Sequence, residues 1–144
     1  MSAPDFYFAN NAIFRHIHDR FGKAALVEYW RSLAGEYYRA RIEAWKSGGL
    51  ATLAADWRDY FAEEPQANVD VVLRDDEVEL TVRTCPAIKH LQDHARSIVP
   101  YFCEHCDHTC GVMAERAGLT FERIGGMGSC RQRFVRTMPK SKEP

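Results

Sequence analysis

The chain has 144 residues, enough for one domain with a core of ordinary size. Hydrophobic residues make up 46% and charged residues 27%, a globular balance that excludes disorder except at the ends, where 1–7 and 138–144 are expected to fray. A formal charge of −1 excludes nucleic acid or an anionic membrane surface as the main partner, since both need a positive field.

The first ten residues hold neither a charged n-region nor an apolar h-region. No stretch reaches the roughly 18 apolar residues that cross a bilayer. A cytoplasmic protein is expected, and a homo-oligomer is left open.

In chain order, Ile13, Phe14, Ile17 and Phe21 share one helical face, with Gly22 as a stop. Leu26, Trp30, Leu33, Tyr37, Ala40 and Ala44 then recur at spacings of three and four, predicting one long helix that ends at Gly48-Gly49. A third helix carries Leu50, Leu53, Trp57, Tyr60 and Phe61 and stops before Pro65. From Asn68 the period falls to two. Val69, Val71 and Leu73, then Val78, Leu80 and Val82, alternate with polar neighbours around the acidic turn Asp75-Asp76-Glu77, predicting a hairpin. Pro86 suits the first position of a helix holding Ile88, Leu91 and Ala95. Pro100 opens another helix, to about Gly118, and a second hairpin spans Leu119–Thr137 around Gly125-Gly126-Met127-Gly128. The predicted fold is α+β: helices first, then a four-stranded antiparallel sheet of two hairpins separated by two helices, with helices on one face. The basic residues Arg131, Arg133, Arg136, Lys140 and Lys142 fit an edge strand and a solvated tail.

All five cysteines and four of the six histidines fall between Cys85 and Cys130. In a reducing compartment that crowding reads as thiol chemistry, metal binding or buried small hydrophobes, not a disulfide scaffold. Cys85 lies at or beside a helix N-cap, where free N–H groups and the helix dipole lower a thiol pKa and sharpen a nucleophile; the alternative is a small apolar plug. Cys103, Cys106 and Cys110 are spaced by three and four along one helical face, with Cys103 in the first turn. Phe102, Cys106, Cys110, Met113 and Ala117 also make an ordinary core stripe. His90 and His94 share a face after Cys85, and His105 and His108 flank the later cysteines; one of His90, His105 and His108 would serve as the base. His16 and His18 are read as structural. The glycine turn could present N–H groups to an anion before Cys130, and Arg131 or Arg133 could hold a carboxylate by two hydrogen bonds.

Cys85-Pro86, then Cys103 or Cys106 with Asp107, then Gly125 to Gly128 followed by Cys130 together resemble the family of L-2-amino-thiazoline-4-carboxylic acid hydrolases and related proteins. The similarity runs in order and spacing over roughly residues 10 to 135. The sequence departs from the family pattern in having an extra cysteine in Cys103-Glu104-His105-Cys106-Asp107 and in lacking acidic residues at the late turn. The resemblance implies a hydrolase that opens a C–N or C–S bond in a small, heterocyclic, carboxylated substrate. Cys85, as the nucleophile or the thiolate that orients it, would form the catalytic set with Cys106 and Cys130 lining the same pocket and with His90 and His105. Cys103, Asp107, His108, Arg131 and Arg133 would bind the substrate, with no cofactor. The alternative is a thiolate zinc site made of Cys85, Cys103, Cys106 and Cys130, without catalysis. A third reading is a ligand-binding module whose cysteines only pack.

Overall fold

A computed structural model describes residues 4–137. Three helices come first: α1 (Asp5–Phe21), α2 (Lys23–Tyr37) and α3 (Arg39–Ala62). A hairpin of β1 (Asn68–Leu73) and β2 (Glu77–Thr84) follows, then α4 (Pro86–Asp93) and α5 (Glu104–Arg116). A second hairpin, β3 (Leu119–Gly126) and β4 (Ser129–Arg136), closes the chain. The four strands form one antiparallel sheet in the order β1-β2-β4-β3. The α+β class and both hairpins are as the sequence predicts. No helix is long and apolar enough to cross a membrane among the described residues.

The period-two pattern decides which face of the sheet is covered. Val78, Leu80 and Val82 of β2 and Phe134 of β4 are 0–4% exposed and pack under Trp45, Leu53, Trp57 and Met113. A second apolar cluster joins α1, α2 and α4 through Phe14, Leu26, Trp30, Ile88, Leu91 and Phe102. Asn11 ties α1 down by donating to the Ser97 carbonyl at 2.8 Å and accepting from the Val99 N–H at 3.0 Å. Cys85 touches both clusters.

Three boundaries differ from the sequence reading. Helix α1 starts at Asp5 and buries Tyr7, so the stretch expected to fray is already helical there; residues 1–3 and 138–144, with Lys140 and Lys142, lie outside the described residues. The long second helix breaks at Tyr38 (φ −94°, ψ 16°). Neither glycine nor proline marks that break, and i→i−4 bonds continue on both sides of it (Tyr38 N–H to the Ala34 carbonyl, Ile42 N–H to the Tyr38 carbonyl), so packing sets it. The expected stop at Gly48-Gly49 is met: Gly49 adopts φ 72°, ψ −161°, a non-helical conformation that costs glycine little and divides α3 into two helical stretches, the second carrying Leu50, Leu53 and Trp57. Helix α5 begins at Glu104, not Pro100, because 100–103 form turns; Cys103 is therefore the N-cap.

Candidate functional site

Between the two apolar clusters lies a cavity of about 190 Å³ whose lining takes in Cys85, Cys103, Cys106, Cys110 and Cys130. Three elements supply these thiols. Cys85 is the N-cap of α4, with Pro86 at the first helical position. Cys103, Cys106 and Cys110 descend α5 from its N-cap. Cys130 enters on β4 opposite Val82 of β2, its side chain on the covered face with Gln132 and Phe134. The turn between β3 and β4 closes one end: the Cys85 N–H donates to the Gly128 carbonyl at 2.8 Å, and the Met127 N–H donates to Cys103 Sγ at 3.1 Å. Gly125 (φ 89°) and Gly128 (φ 128°) permit that path; at Gly125 a Cβ would also press on the Ser129 carbonyl at 2.9 Å.

The thiols are protonated groups in the cavity wall. Burial pushes Cys85 up to about 11, against the lowering by the Ile88 and Ala87 N–H groups. The expected lowering of the Cys85 pKa is thus reversed, because desolvation outweighs two backbone donors. Burial pushes Cys106 up to about 12 and raises Cys103, Cys110 and Cys130 as well.

Beside Cys106 stands an imidazole in a fixed tautomer. His105 Nδ1 lies 2.6 Å from the Phe102 carbonyl, which can only accept, so Nδ1 carries the proton. That leaves Nε2 bare, 3.7 Å from Cys106 Sγ. Desolvation lowers the His105 pKa, so the ring is a neutral acceptor for the thiol proton. The other histidines in the sequence reading are elsewhere. His90 packs on Phe8 (4.7 Å) and His94 (4.3 Å), and His108 stacks on Trp30 (5.6 Å, 15°); neither lines the cavity.

The arginines also need reassignment. Arg131 and Arg133 alternate with Cys130 and Gln132, so they project from the opposite face of the sheet. There Arg131 Nε donates to Glu79 at 2.7 Å and Arg133 Nε to Glu77 at 2.6 Å. They cannot reach a ligand among the thiols. Arg123 of β3 lines the cavity instead, gripped by Asp107 through Nε (2.7 Å) and Nη2 (2.8 Å) and also donating to the Gly125 carbonyl. Asp107, expected to bind substrate, is occupied by that fork. The second cavity arginine is Arg41 of α3, whose Nε donates to Asp56 at 2.9 Å. No aspartate or glutamate is among the described lining residues, so the charge facing the cavity is positive.

Sequence reasoning passed over both arginines, although spacing marks them. Leu119, Phe121 and Arg123 share the inward face of β3, and Tyr38, Arg41 and Trp45 fall at three and four on one helix. A charge on an apolar stripe is the signal in each case. No set of three or more histidine, cysteine, aspartate or glutamate side chains is placed to hold a metal ion among the described residues. No family model, curated protein or solved structure matches the chain.

Proposed function

We propose that this chain is an enzyme of hydrolase type, opening a C–N or C–S bond in a small, carboxylated, heterocyclic substrate. The observation that carries this is the pair formed by Cys106 and the bare Nε2 of His105, 3.7 Å apart, in the wall of a cavity lined by two arginines. The volume suits the substrate class: a cavity of about 150 Å³ can hold benzene, so one of about 190 Å³ takes a single ring with a small substituent.

Thiol and imidazole are both neutral at rest, so proton transfer accompanies attack. Sγ of Cys106 forms a bond to the electrophilic ring carbon as its proton passes to His105 Nε2. The C–N or C–S bond then breaks, and the leaving nitrogen or sulfur takes that proton. A water molecule cleaves the Cys106 adduct and restores the thiol. Cys85 and Cys130 remain protonated in the same wall as weak donors toward the ring.

The test is incubation with five-membered heterocyclic carboxylates, 2-amino-thiazoline-4-carboxylate among them, followed by mass spectrometry for products that have gained one water. Turnover by the wild-type protein is expected to fall about a hundredfold or more in Cys106→Ser and in His105→Gln, with unchanged far- and near-ultraviolet circular dichroism. Full turnover in a folded Cys106→Ser protein would remove the nucleophile. A wild-type protein that binds these compounds without converting any of them would make the cavity a binding site alone.

A further inference from the structure

We infer that Arg41 is the carboxylate anchor of the cavity, so that its ligand is a planar, single-ring carboxylate held with the acid group against α3 and the ring toward the thiols. This rests on the proposal that the cavity receives a small carboxylated molecule, and it goes further by fixing which end of the cavity reads the charge.

Two arginines face the cavity, and their hydrogen bonding separates them. Arg123 gives its fork to Asp107 and another N–H to the Gly125 carbonyl, leaving little to offer. Arg41 spends only Nε on Asp56, and the same carboxylate oxygen also accepts from Trp45 Nε1 at 2.7 Å. Arg41 Nη2 is buried and has no hydrogen-bond partner among the described residues. The same is true of Trp57 Nε1, and Trp57 also lines the cavity. Two unsatisfied donors on neighbouring side chains are costly in a folded protein, since each forfeits the hydrogen bond it had in water. Here they flank the rings that hold the guanidinium in place: it sits 4.7 Å from Trp57, 5.4 Å from Tyr38 and 5.5 Å from Trp45. These faces stabilise the cation and exclude water, so the residual N–H groups are stiffly presented to whatever acceptor arrives.

The complementary group is an anion with in-plane acceptors. A carboxylate oxygen can accept from Nη2 while the second accepts from Trp57 Nε1. The aromatic side chains beside it suit a flat ring better than a bulky or branched chain. Arg41 and Trp57 line the same cavity as Cys106 and Cys110, so the charged end and the thiol end belong to one space.

The probes are thiazole-4-carboxylate and thiazole-4-carboxamide, equal in shape and different in charge, titrated by calorimetry into the intact chain. The wild-type protein is expected to bind the carboxylate about tenfold or more tightly than the carboxamide. Arg41→Gln is expected to lose that preference by weakening the carboxylate alone, Arg41→Lys to retain part of it, and Arg131→Gln on the outer face to keep it whole. Equal wild-type affinity for the two probes, binding of neither, or an undiminished preference in Arg41→Gln each overturns the assignment. Should Arg41→Gln fail to fold, nuclear magnetic resonance of the wild-type arginine side chains decides. The Arg41 Nη signals are expected to move with the carboxylate and stay still with the carboxamide, and no movement with the carboxylate overturns it. Cys106→Ser separates the two proposals: lost carboxylate preference in Arg41→Gln with intact preference in an inactive Cys106→Ser supports both. Preference without any turnover leaves the anchor standing and removes the enzyme; turnover without preference does the reverse.

Discussion

The two faces of the sheet carry arginines of opposite character. On the outer face Arg131 meets Glu79, Arg133 meets both Glu77 and Glu122, and Arg74 meets Glu77 and Glu79, so each cation in this lattice faces carboxylates across neighbouring strands. On the inner face the carboxylates are used up. Asp107 goes to Arg123 and Asp56 to Arg41, and donors, protonated thiols and one neutral imidazole are left facing a cavity. A closed lattice keeps an uncovered sheet face solvated and unattractive to other strands, whereas an unclosed set of donors leaves work for a ligand. What distinguishes an arginine that binds from one that solvates is therefore the state of its partners, not its place in the sequence.

The comparison breaks hardest where the inner face is held up by packing. Phe134 is fully buried on β4, with its ring centroid 5.5 Å from Trp45 and 5.0 Å from Phe121. Phe134→Ala is expected to cost about 3–5 kcal/mol, read as a lowered denaturation midpoint, and to abolish ligand binding because the floor beneath Cys130 and Gln132 collapses. A loss below about 1 kcal/mol would mean that the inner face does not depend on this cluster.

A weaker, pH-dependent effect comes from the thiols. Cys85 is pushed from 9.0 to about 11 and Cys106 from 9.0 to about 12 by burial. For an acid raised in the folded state, the unfolded chain ionises first. The stabilisation is therefore complete below pH 9 and is lost as pH rises through 11 and 12. Each unit is worth about 1.4 kcal/mol, so stability is expected to fall by about 3 kcal/mol through Cys85 and about 4 kcal/mol through Cys106 across that window. Cys106→Ala should flatten the decline above pH 9, and alkylation by iodoacetamide at pH 7 should be slow at Cys85 and Cys106. Rapid labelling of either at pH 7 would place it in water rather than in the cavity wall.

The sequence displays the fold better than the site, for a physical reason. Periodicity reports which face of a helix or strand is apolar, and Val78, Leu80 and Val82 or Leu26 and Trp30 lie where that pattern puts them. It also placed Cys85 at an N-cap before Pro86. It is silent about which of two forces wins at a given thiol. The N-cap argument for a low Cys85 pKa is sound locally, yet depends on solvent that the packing of α1 and α5 removes. Arg131 and Arg133 read as available until strand alternation is followed across to β2, where Glu79 meets Arg131 and Glu77 meets Arg133 on the same face, each two residues from strict register. The break at Tyr38, which brings Tyr38 and Arg41 to the cavity wall, has no glycine or proline to announce it.

The smallest expected effect sharpens the comparison from the outer side. Arg131 is 54% exposed and Glu79 is 10% exposed, with a hydrogen bond of 2.7 Å between them. Cross-strand pairs of this kind contribute about 0–1 kcal/mol because water and salt already screen the exposed partner. Arg131→Gln keeps a donor near Glu79 and removes the charge, and Arg74 remains 3.7 Å from the same carboxylate. A change of under about 1 kcal/mol is therefore expected, shrinking further between low and high salt as the Debye length contracts. The direction with acid follows from Glu79, whose pKa is held down chiefly by Arg131: its contribution is present above the ordinary carboxylate range and lost as pH falls through the lowered value. Thermal melts of wild type and Arg131→Gln should therefore converge in acid and separate slightly at neutral pH. A large loss at neutral pH that persists in high salt would show the outer lattice to be a structural element in its own right, and the division between a solvating face and a binding face would have to be redrawn.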